Sequence, residues 1–361
     1  MSTLRPFSKA LVLGLSLSLC STITSVAATA TTDPVGYNTI SLLANSDTYV
    51  SVPFQRPAAF VGQVSSVSGN VITVAGTPGW TASQFVYASG SQSNTYYAFI
   101  RSGTKEGNYY TVTANGANTL TIDLAGDTLS GLAANDSISV VPYWTLGTLF
   151  PASDAGVSFT ITTTSASPQT QILLPDLSST GINLSASKVY RHRTGTWKLV
   201  GGLNPSYDDD ILLPDSYFIV RNASSAGTLT QTGAVVLQKF VTPLITSNTT
   251  KQDNAVAIQR PIPVSLNDSG LIASGAFVAS NPTGPRTGDE LLVFDNSASI
   301  INKSASAIYF YRSGAWRKVG AANASDDFGA TIVFGPTSGV IIRKATSAGG
   351  ASANWSNTPT Y

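Results

Sequence analysis

The sequence predicts an all-β protein in which two duplicated β-sandwich-like repeats carry a small β-barrel-like domain inserted in the first. The chain has 361 residues, of which 42% are hydrophobic and only 11% are charged. Low charge with abundant Gly, Thr, Val and Tyr is typical of extracellular β proteins, because disordered chains carry more charge and fewer aromatic residues. No apolar period of 3.6 residues is sustained beyond the N-terminal segment, so we expect little helix.

The duplication is clearest in one segment of thirteen residues. Val189–Gly201 recurs as Ile308–Gly320, with a Tyr, an Arg, a Trp, a Val and two Gly unchanged at a spacing of 119 residues (309 − 190). β-branched and aromatic residues on both sides of a Gly turn predict a β-hairpin in each copy. Trp197 and Trp316 are equivalent, so we expect both in the core.

Residues 1–30 have the pattern of a signal peptide. Arg5 and Lys9 form a positive region, Ala10–Leu19 is a short apolar run, and small residues follow. Cleavage would remove the only cysteine, Cys20, and change the net charge from +1 to −1. We therefore expect an exported protein, located outside the cell or on the outer cell surface, with the periplasm as an alternative.

The remaining chain divides into three predicted parts. The first repeat comprises residues 31–57 and 145–247, and the second comprises residues 248–361. In each, an early strand ends in Gln-Arg-Pro, at residues 55–57 and 259–261. Residues 58–144 have no second copy and are predicted as an inserted domain, since surface loops tolerate insertions at a small entropic cost.

The inserted domain is predicted to contain six or seven short strands, which suits a small barrel or sandwich. The predicted strands are Phe60–Val67, Val71–Ala75, Gln84–Ala88, Thr95–Arg101, Asn108–Ala114, Thr119–Leu124 and Ser137–Tyr143. The repeats could form two sandwiches side by side, which we favour, or one combined body.

The arrangement resembles an uncharacterised family of secreted all-β bacterial proteins that occur as many paralogues in one genome. The resemblance covers essentially the whole chain after the signal segment. It rests on SVPFQRP, KEGNYYTVTANGANTLTIDLAGD, YWTLGTLFP, SGAFVAS and the YFIVR and IIRKA strands. It implies export and an all-β fold, and it brings no activity, ligand or site.

The residues suited to catalysis are few. His192 is the only histidine, and because Tyr311 takes its place in the second copy we expect a packing or surface position. The only glutamates, Glu106 and Glu290, lie in different predicted domains, whereas glycosidases need two carboxyls that flank one bond. We therefore predict no enzyme and assign no catalytic residue.

Asp208, Asp209 and Asp210 are the most concentrated charge and the only metal candidates. Calcium takes several oxygen ligands from flexible loops, and it is plentiful outside cells. However, the spacing of known calcium loops is absent here. No other cofactor is predicted.

Aromatic residues of the inserted domain are the best candidates for facing a ligand, because exposed Trp and Tyr stack on sugar rings. These are Trp80, Tyr87, Tyr96 and Tyr109.

Our leading hypothesis is a non-enzymatic secreted or cell-surface protein with a structural or adhesive role. The alternative is a carbohydrate-binding protein that uses the aromatics of the inserted domain, and a secreted hydrolase is third. Extracellular glycans or other surface proteins are the partners we expect. A near-neutral chain argues against nucleic acid, and no apolar run after the signal segment is long enough for a transmembrane helix.

Overall fold

A computed structural model describes residues 33–151, 170–193, 195–201, 205–223, 225–347, 350 and 352–361. The predicted signal peptide lies outside these residues. The regular secondary structure of the described chain is nearly all strand, as predicted, with one short α-helix and one 3₁₀ turn. Neither has the length or the hydrophobicity that crossing a bilayer requires.

The strands are numbered in chain order. The first three are β1 (Val35–Leu42), β2 (Ser46–Val50) and β3 (Phe54–Gln55). Then come β4 (Phe60–Ser68), β5 (Val71–Val74), β6 (Tyr96–Ile100), β7 (Tyr109–Asn115), β8 (Thr119–Ile122) and β9 (Ser137–Pro142). Next are β10 (Trp144–Thr145), α1 (Leu146–Leu149), β11 (Gln171–Leu174), β12 (Lys188–Arg193), β13 (Thr196–Leu199), β14 (Ile211–Leu212), β15 (Phe218–Asn222) and β16 (Gly227–Val235). The last are β17 (Phe240–Leu244), β18 (Gln252–Ala257), β19 (Val264–Ser265), the 3₁₀ turn (Asn267–Ser269), β20 (Glu290–Val293), β21 (Ala307–Arg312), β22 (Ala315–Lys318), β23 (Ile332–Phe334), β24 (Gly339–Lys344) and β25 (Ala353–Asn357).

Two five-stranded antiparallel sheets have the same strand order. The first runs β2-β15-β11-β12-β13, and the second runs β18-β24-β20-β21-β22. Each sheet is accompanied by a short pair, β10–β14 or β19–β23, and by a longer pair, β1–β16 or β17–β25. We call β1–β3 with β10–β16 the first sheet body, and β17–β25 the second. The predicted boundaries assign β17 to the first repeat, whereas its hydrogen bonds go to β25 of the second body.

Each sheet body has its own apolar core, and the hairpin tryptophan lies inside it. Trp197 and Trp316 are each 1% exposed, which confirms the predicted packing role. Trp197 contacts Phe150 at a ring-centroid distance of 5.7 Å, and Trp316 contacts Phe277 at 5.0 Å. The repeated hairpin therefore anchors the outer part of each sheet to its core.

The inserted segment forms a closed six-stranded barrel in the order β4-β5-β8-β7-β6-β9. The predicted strand Gln84–Ala88 is wrong, because these residues form turns with one isolated bridge. Their backbone is held by a side chain instead, since the Phe85 amide donates to Asn115 Oδ1 at 2.9 Å. Phe85 then buries its ring in the barrel core.

The two sheet bodies contact each other through Arg221 of the first body. Arg221 makes a bidentate ion pair with Asp47, at 2.7 and 2.8 Å, within the first sheet. Asn302 of the second body completes the group. Its backbone N–H donates to Asp47 Oδ2 at 2.8 Å, and its side-chain oxygen accepts from Arg221. Asn302 has a φ of 55°, a left-handed conformation that Asn tolerates better than most residues.

The second body repeats this contact in reverse. Arg343 pairs with Asp253 at 2.7 and 2.9 Å, and Asn183 of the first body donates its amide to Asp253 Oδ2 at 2.8 Å. Arg343 also donates to Asn183 Oδ1, and Asn183 has a φ of 53°. Each body thus presents the same surface to the other, as subunits do in a two-fold symmetric dimer.

Both ends of the described chain lie beside the connection between the two bodies. The amide of Val235, the last residue of β16, donates to the carbonyl of Pro34 at 2.7 Å. The Tyr361 hydroxyl donates to the carbonyl of Val236 at 2.8 Å.

Candidate functional site

The barrel is joined to the sheet bodies by an apolar group that we call the junction cluster. Tyr97 and Phe99 alternate with core residues along β6, so they point out of the barrel. They are nevertheless buried, because Val236 from the connection between the bodies and Phe240, the first residue of β17, cover them. Phe99 and Phe240 are stacked, with ring centroids 5.8 Å apart. This packing fixes the barrel against the connection and the start of β17.

A cleft of about 570 Å³ opens beside the junction cluster. One wall comes from the barrel strand β7 and the turn after β8, and the other comes from β17 and β25. Aromatic, carboxylate and amide groups share its lining, including Asn108, Tyr109, Tyr110, Asp123, Asp127 and Asn354. The mixture of rings and polar groups is typical of sites that orient a small polar ligand.

Tyr109 separates this cleft from a second one of about 200 Å³ that Asp215 lines. Burial raises the pKa of the Asp215 carboxyl to about 6, and the hydrogen bond from Tyr109 offsets only part of that rise. Burial, followed by the nearby Asp215 charge, raises the pKa of Tyr109 well above its usual value. Asp215 is thus a buried acid at the point where the barrel meets both sheet bodies.

Asp127 has the opposite environment at the rim of the larger cleft. Tyr110 donates its hydroxyl to Asp127 Oδ2 at 2.7 Å, and Lys105 Nζ lies 2.9 Å from the same carboxylate. Partial burial alone would raise the pKa of Asp127, but the hydrogen bonds from Lys105 and Tyr110 outweigh it and hold the pKa below its usual value. In mildly acidic solution Asp127 therefore stays ionised, whereas Asp215 is protonated.

The four predicted ligand-facing aromatics occupy different environments. Trp80 is a core residue, because its ring packs edge-on against Phe60 and Phe85 at 4.8 and 5.1 Å and is 8% exposed. Its assignment as ligand-facing is therefore corrected. Tyr96 packs partly buried against the same core, and Tyr109 alone of the four lines the larger cleft.

Tyr87 is 40% exposed and reaches from the barrel to the first sheet body. Its hydroxyl donates to Asp209 Oδ2 at 2.8 Å. This contact ties the turn that was wrongly predicted as a strand to the aspartate loop.

The three calcium candidates are bonded to different protein groups. Asp208 Oδ1 accepts from the Trp197 amide at 2.7 Å, whereas Asp209 accepts from Tyr87. Asp210 Oδ2 accepts from Lys188 Nζ at 2.8 Å and from the Tyr190 hydroxyl. Within the described ranges, no group of three His, Cys, Asp or Glu side chains could hold a metal ion.

None of the other residues weighed for catalysis lines the cleft. His192 packs edge-on against Trp197 at 5.3 Å, and burial lowers the pKa of its imidazole. Glu290 forms ion pairs with Lys251 and Arg286 in the second body, and Glu106 accepts from the Lys239 amide. These contacts give each of the three a role in packing or in local structure.

Sequence reasoning missed Asp215, Asp123 and Asn354. Asp215 follows a proline in a segment that has the composition of an ordinary turn, and turns commonly contain Asp. Segments that are distant in sequence, from the barrel and from β17 and β18 of the second body, surround it. The repeat pattern did carry one signal, because the barrel is the part without a copy and the cleft lies at its junction.

No protein family, curated protein or solved structure matches the chain in the three comparisons made with it.

Proposed function

We propose that the protein is an adhesive binding protein that takes a neutral glycan into the larger cleft at the barrel junction. The observation that carries the proposal is the lining of this cleft, where the Tyr109 ring lies among the polar side chains Asn108, Asp123, Asp127 and Asn354. A sugar offers an apolar ring face for an aromatic side chain and hydroxyl groups for carboxylates and amides. The volume, about 570 Å³, is in the range of small-molecule sites.

Binding of full-length mature protein to an array of neutral and acidic glycans tests this proposal. For a glycan that binds, Asp123→Ala and Asn354→Ala should each weaken affinity by up to about tenfold, since each removes one hydrogen-bonding side chain. Asp295→Ala is the matched control. Asp295 accepts from the backbone two residues ahead, as Asp123 does, but lies outside the cleft. An array without any binding, or equal effects of Asp123→Ala and the control, would contradict the proposal.

A hydrolase is the second candidate, and the raised pKa of the Asp215 carboxyl beside the smaller cleft favours it. Glycosidases use a carboxyl of raised pKa as their general acid. Hydrolysis of a glycoside panel by the wild-type protein, abolished in Asp215→Asn, would favour this candidate over adhesion. Turnover that is unchanged in Asp215→Asn would count against it.

We further propose that the protein acts outside the cytoplasm and that its two sheet bodies arose by duplication. The signal-like segment at residues 1–30 supports export, and the recurring hairpin together with the shared strand order supports duplication. Fractionation of cells and medium tests the first point. Protein found only in the cytosolic fraction would contradict it.

A further inference from the structure

Phe310 is buried on the side of its sheet that faces away from the core. Its neighbours Tyr309 and Tyr311 point to the opposite side, where they pack against the core of the second sheet body. Phe310 is 8% exposed without belonging to that core. Two guanidinium groups cover it instead, with the Cζ atoms of Arg286 and Arg312 at 5.7 and 5.2 Å from the ring centroid.

Arg317 adds a third guanidinium on the same side. It lies directly opposite Phe310 in the β21–β22 pair, so the two side chains share a face. Its Nη1 donates to the Asp326 carbonyl at 3.0 Å. Arg286, Arg312 and Arg317 line a cleft of about 180 Å³ together with Lys318, and Asp326 is the one carboxylate residue in that lining.

The protein holds these cations close together with few counter-charges. Arg286 pairs with Glu290 at 2.9 Å, whereas Arg312 and Arg317 donate to backbone carbonyl oxygens. Like charges that lie against the same ring repel each other. The repulsion is strongest where the apolar ring excludes water. Within the described residues, Arg312 Nε is buried and has no hydrogen-bond partner. An anion in the cleft would remove both unfavourable features.

We propose that this cleft binds a sulfate or phosphate group, either as the free ion or as a substituent of an extracellular polymer. Planar guanidinium groups donate two parallel hydrogen bonds to an oxyanion, and the carbonyl contacts and the Phe310 ring hold them in place before binding. The site shares no lining residue with the glycan cleft at the barrel, so it is independent of that cleft.

The first sheet body supplies an internal control. At the positions equivalent to Phe310 and Arg317 it has Arg191 and Lys198, 119 residues earlier (310 − 191 and 317 − 198). It therefore lacks the aromatic platform on which the guanidinium groups rest. We expect no comparable affinity at that place.

Calorimetric titration of the full-length mature protein with dextran sulfate, neutral dextran, inorganic sulfate and inorganic phosphate tests the proposal. We expect dextran sulfate or an inorganic ion to bind and neutral dextran not to bind. Arg317→Gln should weaken that binding by about tenfold or more, since it removes charge-assisted hydrogen bonds. Lys198→Gln, the matched control, should leave it unchanged.

The two sources of the anion give different results. Dextran sulfate that binds much more tightly than inorganic sulfate indicates a polymer substituent, and equal affinity per sulfate group indicates the free ion. Arg286→Gln is a second variant in case Arg317→Gln lowers the melting temperature. The Arg286 guanidinium donates to the Glu290 carboxylate, whereas Arg317 donates to a backbone carbonyl. The proposal is wrong if no anion binds, or if Arg317→Gln and Lys198→Gln weaken binding equally.

Discussion

Asp289 and Lys344 form an ion pair inside the second sheet body, where both side chains are shielded from solvent. The carboxylate also accepts from the amides of Val278 and Ala345, each at 2.7 Å, and Lys344 donates to the carbonyl of Ala276. Buried charges are tolerated only when their hydrogen bonds are satisfied in this way. The equivalent place in the first body holds a neutral pair, in which Thr170 donates to Asn222 at 3.2 Å.

The neutral pair suggests how to exchange the charged one. Asp289→Thr and Lys344→Asn should each lower the free energy of unfolding by about 3–5 kcal/mol, because each leaves one buried charge without its partner. The double variant, which copies Thr170 and Asn222, should recover most of the loss. Urea unfolding of all four proteins measures the coupling. Additive effects of the two substitutions would show that the ions are not energetically paired.

Asp215 should make stability depend on pH near the barrel junction. Its pKa of about 6 in the folded protein lies above the value of about 3.9 in an unfolded chain. Protonation therefore favours folding, so this stabilisation is complete below about pH 4 and is lost as the pH rises through about 6. The loss is about 3 kcal/mol. Asp215→Asn imitates the protonated form and should remove the effect. Parallel urea-midpoint curves for the two proteins between pH 4 and pH 7 would contradict this prediction.

Among the elements, the β21–β22 hairpin depends on a two-residue turn of unusual backbone conformation. Arg312 pairs with Ala315, so only Ser313 and Gly314 connect the strands. Their φ angles are 51° and 79°, and two positive values define the turn type that matches the twist of a hairpin. Gly is the residue best suited to this conformation, and Asn is better suited to it than Ser.

Gly314→Ala should therefore lower the free energy of unfolding by about 1–2 kcal/mol through backbone strain alone. A Cβ at this position would meet no other atom within 4 Å, so no steric clash confuses the result. Ser313→Asn is the complementary change and should raise stability slightly. Thermal unfolding of both variants gives the measurement, and a Gly314→Ala protein as stable as the wild type would contradict the turn assignment.

The sequence predicts local elements well where the pattern and the turn chemistry agree. All six strands of the barrel were expected from alternation and from Gly- or Asn-containing turns. Gln84–Ala88 contains residues that favour strands. However, Phe85 is buried in the barrel core, and the backbone there forms turns. Trp80 was misassigned for the same reason, because propensity does not show which residues close the end of a barrel.

At the scale of the whole molecule, reciprocal contacts bring equivalent positions of the two sheet bodies together. Tyr217 and Gly339 are equivalent, with a separation of 122 residues (339 − 217), and they touch. A Cβ on Gly339 would lie 2.3 Å from Tyr217 Cβ and Cγ. There is room for one large side chain, so the equivalent positions must differ.

Gly339→Ala should lower the free energy of unfolding by about 1–3 kcal/mol through overpacking. Combined with Tyr217→Gly, which removes both Cβ and Cγ, the same change should be nearly neutral relative to Tyr217→Gly alone. A double-mutant cycle by urea unfolding measures this coupling. If Gly339→Ala destabilises both backgrounds equally, the two positions do not compete for one space.

These contacts between the bodies could not be predicted from the sequence. Asn183 and Asn302 are 119 residues apart (302 − 183), so their equivalence is visible, but both lie in polar segments that have the composition of free loops. What they bind follows from how the bodies meet, which no local pattern records. The cleft at the barrel depends in the same way on the arrangement of distant segments.

The two ends of the described chain lie near each other. Pro34 contacts Val235, and Tyr361 contacts the next residue, Val236. A short Gly/Ser linker from Tyr361 to Asp33, with new termini opened after the exposed Leu237, would give a circular permutant in which the second body precedes the first. Since every contact described here would be kept, we expect this reordered chain to fold and to melt within a few degrees of the original. The order of the two bodies along the polypeptide would then be a matter of connection, independent of how they associate.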